Sequence, residues 1–256
     1  MDPIVCKCCG NRSEFRGAID FNKTCHDRFG ERVFGISQIL VNYFACIGCG
    51  FIFTPDMDEW SVYKFAELIY NEDYSKADGA IPGFEHTSRK ESFSYKNGMR
   101  LAEMLDGSQS EITLLDFGAG GNPGDTGLAL IDRGFNVSSF DPHISGVNDY
   151  PKGKFDFVYL IEVIEHCHNV DEVAAWISKH LARDGIVHIQ TLLHGFPTAA
   201  DVLSSWYIAP RNGHISIFTL QALTLLFRKF GINIVQTVFG VIGFKEKPKF
   251  ANKYFV

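Results

Sequence analysis

A predicted strand that runs straight into a glycine cluster, LLDFGAGGNPG (114–124), limits this chain more than any other feature. Glycines at a strand's carboxyl end let the backbone turn sharply and let a ligand approach it, and in an open α/β sheet that end is where ligands bind. From residue 111 strand-like and helix-like segments alternate: strand EITLLDF, a helix around GDTGLALIDR, strands NVSSFD and KFDFVYLI, helix VDEVAAWISKHLA, strand GIVHIQTL, helix LQALTLLFRKF, and closing strands INIVQTVF and VIGFKE. Such alternation builds βαβ units and a mostly parallel sheet. The two closing strands are neighbours in sequence and predict an antiparallel pair. The expected fold is therefore α/β, a Rossmann-like doubly wound sheet with an antiparallel C-terminal strand. Asn122-Pro123 reads as an N-cap and first helical residue, which leaves 118–121 as the loop.

The loop matches the dinucleotide pattern G-x-G-x-x-G poorly, because the third glycine slips by one and Pro123 stands where the helix should begin. Asp116 at the loop's start repels a pyrophosphate and attracts an ammonium group. The next strand ends in Asp141-Pro142, and an acidic residue there can accept both hydroxyls of a ribose. An adenosine that bears an ammonium and no phosphate is S-adenosylmethionine, which is the expected cofactor.

Six of the 7 cysteines lie in the first 49 residues, and Cys167 is the exception. Cys6-Lys7-Cys8-Cys9-Gly10 and Cys46-Ile47-Gly48-Cys49-Gly50 each hold C-x-x-C followed by glycine, a zinc-knuckle pattern in which two tight turns offer two thiolates each. Cys6, Cys9, Cys46 and Cys49 are the expected ligands of a structural zinc ion; Cys8, Cys25 or His26 are substitutes. The N-terminus has neither the apolar core nor the cleavage site of a signal peptide, and no run of about 18 apolar residues occurs, so a cytoplasmic location without membrane contact is expected. Thiols stay reduced there, which favours metal over disulfides.

Residues 55–110 show helical spacing in SVYKFAELIYNEDY and SYKNGMRLAEMLDG, with KADGAIPGFEHTS between them as a loop suited to a lid. The expected division is a zinc-ribbon-like module over 1–55, a helical connector over 56–110 and a cofactor-binding domain over 111–256. A net charge of −6 argues against a nucleic-acid partner, whose phosphates call for clustered Lys and Arg.

Taken in order, LLDFGAG, SSFDP, FDFVYLIEVIEH, LARDGIVHIQT and WYIAPRNGHISIFT resemble the class I S-adenosylmethionine-dependent methyltransferases over roughly residues 95–245. The resemblance implies that Gly118, Ala119 and Gly120 line the methionine end, that Asp116 sits beneath it, that Asp141 with Pro142 holds the ribose, and that residues 160–162, with Ile161, flank the cofactor. The usual third strand has little room in HISGVNDYPKG, which leaves the adenine contact open with Asp149 as a candidate. The knuckle pair joined to such a domain resembles a subgroup that acts on sugars and small biosynthetic intermediates. Its members share a Tyr-x-x-x-Tyr element, here Tyr70 to Tyr74, and a Trp-Tyr pair, here Trp206-Tyr207; Tyr74 is grouped with the cofactor residues.

Transfer of a methyl group to a hydroxyl needs a base or a metal. In EVIEH, Glu162, Glu165 and His166 are spaced i, i+3 and i+4, one face if the segment is helical. His166 can act as general base. Alternatively these three, with His214 of RNGHISIF as fourth ligand, can hold Mg2+ or another divalent ion, a set similar to that of small-RNA 2′-O-methyltransferases and ubiquinone-pathway O-methyltransferases. A third reading is structural, with Glu165 stabilising a helix start. The expected reaction is O-methylation of a small or sugar-type acceptor. C- or N-methylation, an RNA acceptor, and a non-catalytic zinc-dependent binding protein are the alternatives. His143 and His194 are secondary acceptor contacts, Cys167, His168 and His188 are structural, and Lys245, Lys247 and Lys249 form a solvated basic tail.

Overall fold

The chain's apolar runs sort into two sheets. The computed structural model describes residues 4–30, 32–78, 88–105, 107–195 and 199–248. In chain order the elements are β1 (Ser13–Asp20), β2 (Leu40–Cys46), β3 (Ile52–Phe53), α1 (Val62–Leu68), α2 (Tyr74–Ala77), α3 (Phe93–Met104), β4 (Thr113–Phe117), α4 (Asp125–Asp132), β5 (Asn136–Phe140), β6 (Phe155–Ile161), α5 (Val170–His180), β7 (Leu181–Gln190), α6 (Ala199–Ser204), β8 (Ser216–Ile217), α7 (Leu220–Arg228), β9 (Asn233–Thr237) and β10 (Gly240–Phe244). They form two compact units, one of Met1–Phe84, Ile164–Val173 and Thr191–Leu226, the other of Glu85–Val163, Ala174–Gln190 and Phe227–Val256. Each unit draws on three separate stretches of the chain.

The second unit holds a six-stranded sheet in the order β5-β4-β6-β7-β10-β9. The first four strands are parallel, and β10 runs antiparallel to both β7 and β9. This is the expected α/β sheet with its antiparallel C-terminal strand. Residues 141–154 form no strand, so β5 is the edge, in line with the crowding read in HISGVNDYPKG. Leu114, Leu115, Phe157, Val158, Leu160, Ile186 and Val187 are all fully buried, as continuous apolar strands covered on both faces require. Leu101 of α3, its C-cap residue Leu105 and Leu130 of α4 pack onto one face. Gly98 lets the two helices meet: a Cβ there would lie 2.5 Å from the Thr126 carbonyl oxygen. At the sheet's edge, Tyr150 stacks between Phe140 (ring centroids 4.3 Å apart) and Trp176 (5.1 Å).

Helix α4 corrects one local expectation. It begins at Asp125 with Gly124 as N-cap, while Asn122-Pro123 is a cis bond inside a longer loop. Gly124 lies so close to Ala119 that a Cβ would stand 1.9 Å from its carbonyl oxygen, so only glycine fits at that helix start.

The first unit is built on an antiparallel sheet, β1-β2-β3-β8. The segment between the two knuckles is largely the β1–β2 hairpin, which shifts register between Phe15 and Gly17. Tyr43, Ile52, Met57, Ile69, Ile215 and Ile217 form its core. The helix expected over SVYKFAELIYNEDY is broken into α1 and α2. Asn71 causes the break, donating through Nδ2 to the Glu67 carbonyl (2.7 Å) and accepting at Oδ1 from the Asp73 amide (3.1 Å), an Asx turn that competes with helix propagation. Residues 79–87 of the expected lid loop, and Lys249 of the expected tail, lie outside the described residues. No helix among the described residues is long and apolar enough to cross a membrane.

Candidate functional site

Each knuckle is a turn closed by a glycine with positive φ: Gly10 (75°) donates to the Cys6 carbonyl at 2.9 Å and Gly50 (74°) to the Cys46 carbonyl at 3.0 Å. The turns bring four sulfurs together, with Cys6 Sγ 3.6 Å from Cys49 Sγ and Cys9 Sγ 3.4 Å from Cys46 Sγ. All four lie within 4.8 Å of one another. A tetrahedron with Zn–S of about 2.3 Å has sulfurs about 3.8 Å apart, so the donor set fits zinc. The amides of Gly48 and Cys49 aim at Cys46 Sγ (3.3 and 3.4 Å), and Asn11 Nδ2 at Cys9 Sγ (3.3 Å). Hydrogen bonds from Cys49 and then Cys8 hold the Cys6 thiol far below its usual range, while the Cys6–Cys49 bond and burial push Cys49 up. Cys8 is buried beside Cys6. Cys25 is not part of this set; its sulfur lies 3.5 Å from His214 Nδ1.

In the second unit, the loop after β4 is held from beneath. The amides of Gly118 and Ala119 donate to the Phe140 carbonyl (2.7 and 3.0 Å), and Asp141 accepts from the amides of Gly120 (2.9 Å) and His143 (2.8 Å). Asp141 therefore ties the two strand ends together, and its remaining lone pairs are the ones a ribose can use. Gly118 (φ 82°) and Gly120 (φ 61°) differ in surroundings: a Cβ at Gly118 would strike Val163 at 2.5 Å, whereas at Gly120 it would meet nothing within 4 Å, which leaves an open cradle. Asp116 is 5% exposed and its Oδ2 has no hydrogen-bond partner. Burial pushes its pKa up to about 7, opposed by the Tyr159 hydroxyl beside it and reinforced by the charge of Asp141. A buried carboxylate next to a glycine cradle fits the ammonium end of S-adenosylmethionine. Ile161 closes β6 and Pro142 follows Asp141, both at strand ends of this sheet.

The third constellation belongs to the first unit. One carboxylate oxygen of Glu165 and one ring nitrogen each of His166 and His214 lie within 4.8 Å of one another. Glu165 is fully buried and accepts from the Tyr207 hydroxyl at 2.6 Å. Thr191 Oγ1 lies 3.2 Å from that hydroxyl, and the Leu192 amide donates to it at 3.3 Å. His214 Nδ1 faces the Tyr207 carbonyl at 2.7 Å; since a carbonyl only accepts, Nδ1 carries the proton and Nε2 the lone pair. Burial, and then the neighbouring His166, hold His214 well below its ordinary pKa, so it is neutral. The His166 and His214 rings meet edge to face at 4.8 Å.

Arg211, Asn212 and Gly213 anchor this corner. Arg211 donates to the Ile69 carbonyl and to Asn71 Oδ1, both at 2.8 Å, and Asn212 accepts from the Cys25 amide (2.8 Å) and donates to the Ala77 carbonyl (3.1 Å). Gly213 has φ 83°, and a Cβ on it would stand 3.0 Å from the Tyr70 hydroxyl and 3.1 Å from His166 Nδ1. Tyr74 packs on Tyr70 (5.2 Å) in this same unit.

The expected face of Glu162, Glu165 and His166 does not form. The segment is a single 3-10 turn, Ile164–His166, and Glu162 precedes it with φ 52°, its amide donating to the Gln190 carbonyl at the end of the parallel sheet. His194 is held by the Gly50 carbonyl at 2.8 Å, and His168 stacks on Phe65 at 5.3 Å. Tyr207 had appeared above only as part of a recurring Trp-Tyr pair, and Thr191, Arg211 and Asn212 had no role. Nothing in their local sequence signals burial.

A family model described as a methyltransferase domain matches residues 89–237. Among solved structures, the chain is similar to DesVI of Streptomyces venezuelae (12% identity, 60% of this chain and 92% of that one, TM-score 0.44). It is also similar to CalS10, an amino pentose methyltransferase of Micromonospora echinaspora involved in calicheamicin biosynthesis (13%, 62% and 94%, 0.44), and to CalO1, a methyltransferase in calicheamicin biosynthesis (14%, 71% and 63%, 0.44). No curated protein sequence matches it. The matched span takes in the glycine loop, Asp141, EVIEH and His214, and covers more than half of the sequence; the chain belongs to the methyltransferase-domain family.

Proposed function

We propose that this enzyme O-methylates a hydroxyl of a small, sugar-type acceptor, with His166 as the general base. The observation behind this reading is the division of burial in the Glu165–His166–His214 cluster: Glu165 and His214 are sealed, whereas His166 is only half-buried and can meet an acceptor. Bound S-adenosylmethionine supplies an electrophilic methyl carbon on a sulfonium. Asp116 and the cradle at Gly120 hold its methionine end, and Asp141 its ribose. His166 takes the acceptor's hydroxyl proton as the oxygen attacks, a contribution of about 10²–10⁴ in rate. Glu165, fixed by Tyr207, and neutral His214 orient the imidazole and offset the charge it gains. The cytoplasm is its setting, and the four-cysteine site holds zinc that keeps the N-terminal knuckles folded. The net charge of −6 opposes an RNA acceptor.

A second reading rests on the ring of ligand atoms and the free Nε2 lone pair of His214: Glu165, His166 and His214 bind a divalent cation that acidifies the acceptor hydroxyl. The test is release of S-adenosylhomocysteine with a panel of sugars and nucleotide-linked sugars. His166→Ala is expected to abolish turnover on whichever acceptor is used while cofactor affinity is kept; retained turnover overturns both readings. Activity that survives a chelator supports the base, and activity restored only by added Mg2+ supports the cation.

A further inference from the structure

Within the second unit, Asn97, Arg100 and Met104 recur at three- and four-residue spacing on α3 and so share one face. With His188 and Gln190 of β7 and Phe239 of the β9–β10 turn they line a cavity of about 310 Å³, at the lower end of the range for small-molecule sites. The opposite wall follows from strand geometry. Ile186, His188 and Gln190 alternate onto one face of β7, and Ile186 lies in the core with Leu101 of α3. Two residues further along, that same face turns polar, and the helix–sheet layer ends in this cavity.

Three donors there lack acceptors among the described residues. Asn97 is 5% exposed and its Nδ2 has no hydrogen-bond partner. The exposed guanidinium of Arg100 has no ion pair or hydrogen bond among the described residues, and the Gln190 side-chain amide has none either. Among the described residues, no acidic residue lines the cavity. A buried amide donor left unsatisfied costs about 1–3 kcal/mol, which an acceptor oxygen from a ligand removes. One guanidinium flanked by two carboxamides suits a single planar carboxylate better than a dianion. Met104 and Phe239 provide apolar surface for the rest of the molecule.

We propose that this cavity is a binding site for a small organic carboxylate with an apolar body, gripped by Arg100, Asn97 and Gln190. Burial pushes the pKa of His188 down to about 4, so its ring joins as a neutral hydrogen-bonding group and adds no charge. The inference stands independently of the acceptor proposed above.

The test uses the full chain and ligand-observed NMR with four probes, benzoate, phenyl phosphate, inorganic phosphate and benzylamine, at about 10 mM, above the millimolar range that fragments of this size reach. Benzoate is expected to bind more tightly than the other three. Arg100 is exposed, so Arg100→Gln is expected to fold as the parent does and to weaken benzoate at least ten-fold; Phe239→Ser is expected to weaken it without restoring affinity for benzylamine. Benzoate that fails to bind, or that binds Arg100→Gln as well as the parent, overturns the proposal. So does phenyl phosphate or inorganic phosphate binding more tightly than benzoate, or benzylamine binding equally well.

Discussion

Asp116→Asn separates stability from function at the glycine loop. Burial has raised this carboxyl from 3.8 to about 7, a shift that corresponds to ~4 kcal/mol at 1.36 kcal/mol per unit. The folded protein holds the proton where the unfolded chain has lost it, so the group's contribution is fully present below pH 3.8 and is lost as pH rises to about 7. Asparagine has no such titration. Its own desolvation cost does not change with pH, so the stability of Asp116→Asn relative to the parent should rise by ~3 kcal/mol between pH 5 and pH 8.5. Urea unfolding of both proteins at the two pH values measures this directly. Cofactor binding should move the other way, because an ammonium partner favours the ionised carboxylate: Asp116→Asn should bind S-adenosylmethionine more weakly. Binding by the parent near pH 6.5 should release a proton, visible by calorimetry in buffers of different ionisation enthalpy. A stability difference that stays flat with pH refutes the burial argument, and undiminished cofactor affinity in the variant refutes the ammonium assignment.

Tyr207→Phe removes a 2.6 Å bond to a fully buried carboxylate and should cost about 1.5–3 kcal/mol in unfolding free energy. It should also lower kcat while leaving cofactor affinity unchanged by titration calorimetry; unchanged stability would show that Glu165 is neutral or otherwise satisfied. Gly213→Ala forces an L-residue to φ 83° at about 1–2 kcal/mol and presses a methyl against Tyr70 and His166, so thermal stability and turnover should fall together. The cysteine set should hold one zinc per chain by metal analysis, and Cys46→Ser should release it and open the N-terminal knuckles to protease; a metal-free parent with intact knuckles would refute the assignment.

The parallel sheet was legible because its strands are apolar on both faces: LLDF and FDFVYLI can sit nowhere but in a doubly covered layer. The N-terminal sheet was not. SEFRGAID mixes charges with a glycine at the register shift, and the sheet is completed by two residues, Ser216 and Ile217, that lie far along the chain from β3. Such pairings leave no periodic trace within a window of neighbours. The site divides in the same way. A glycine loop, an acid closing a strand and two C-x-x-C-G turns are local solutions to local geometry, so they can be read in order. Glu165 and Tyr207 are 42 positions apart and the Cys25–Asn212 contact spans 187, so each is an ordinary residue until folding buries it against its partner. Glu162 fails for the opposite reason. Its spacing from Glu165 and His166 suits a helix, yet β6 continues through Ile161, the chain turns at φ 52°, and the one 3-10 turn that follows begins only at Ile164. The i, i+3, i+4 rule then has no face on which to act, and His214 is the residue that completes the cluster.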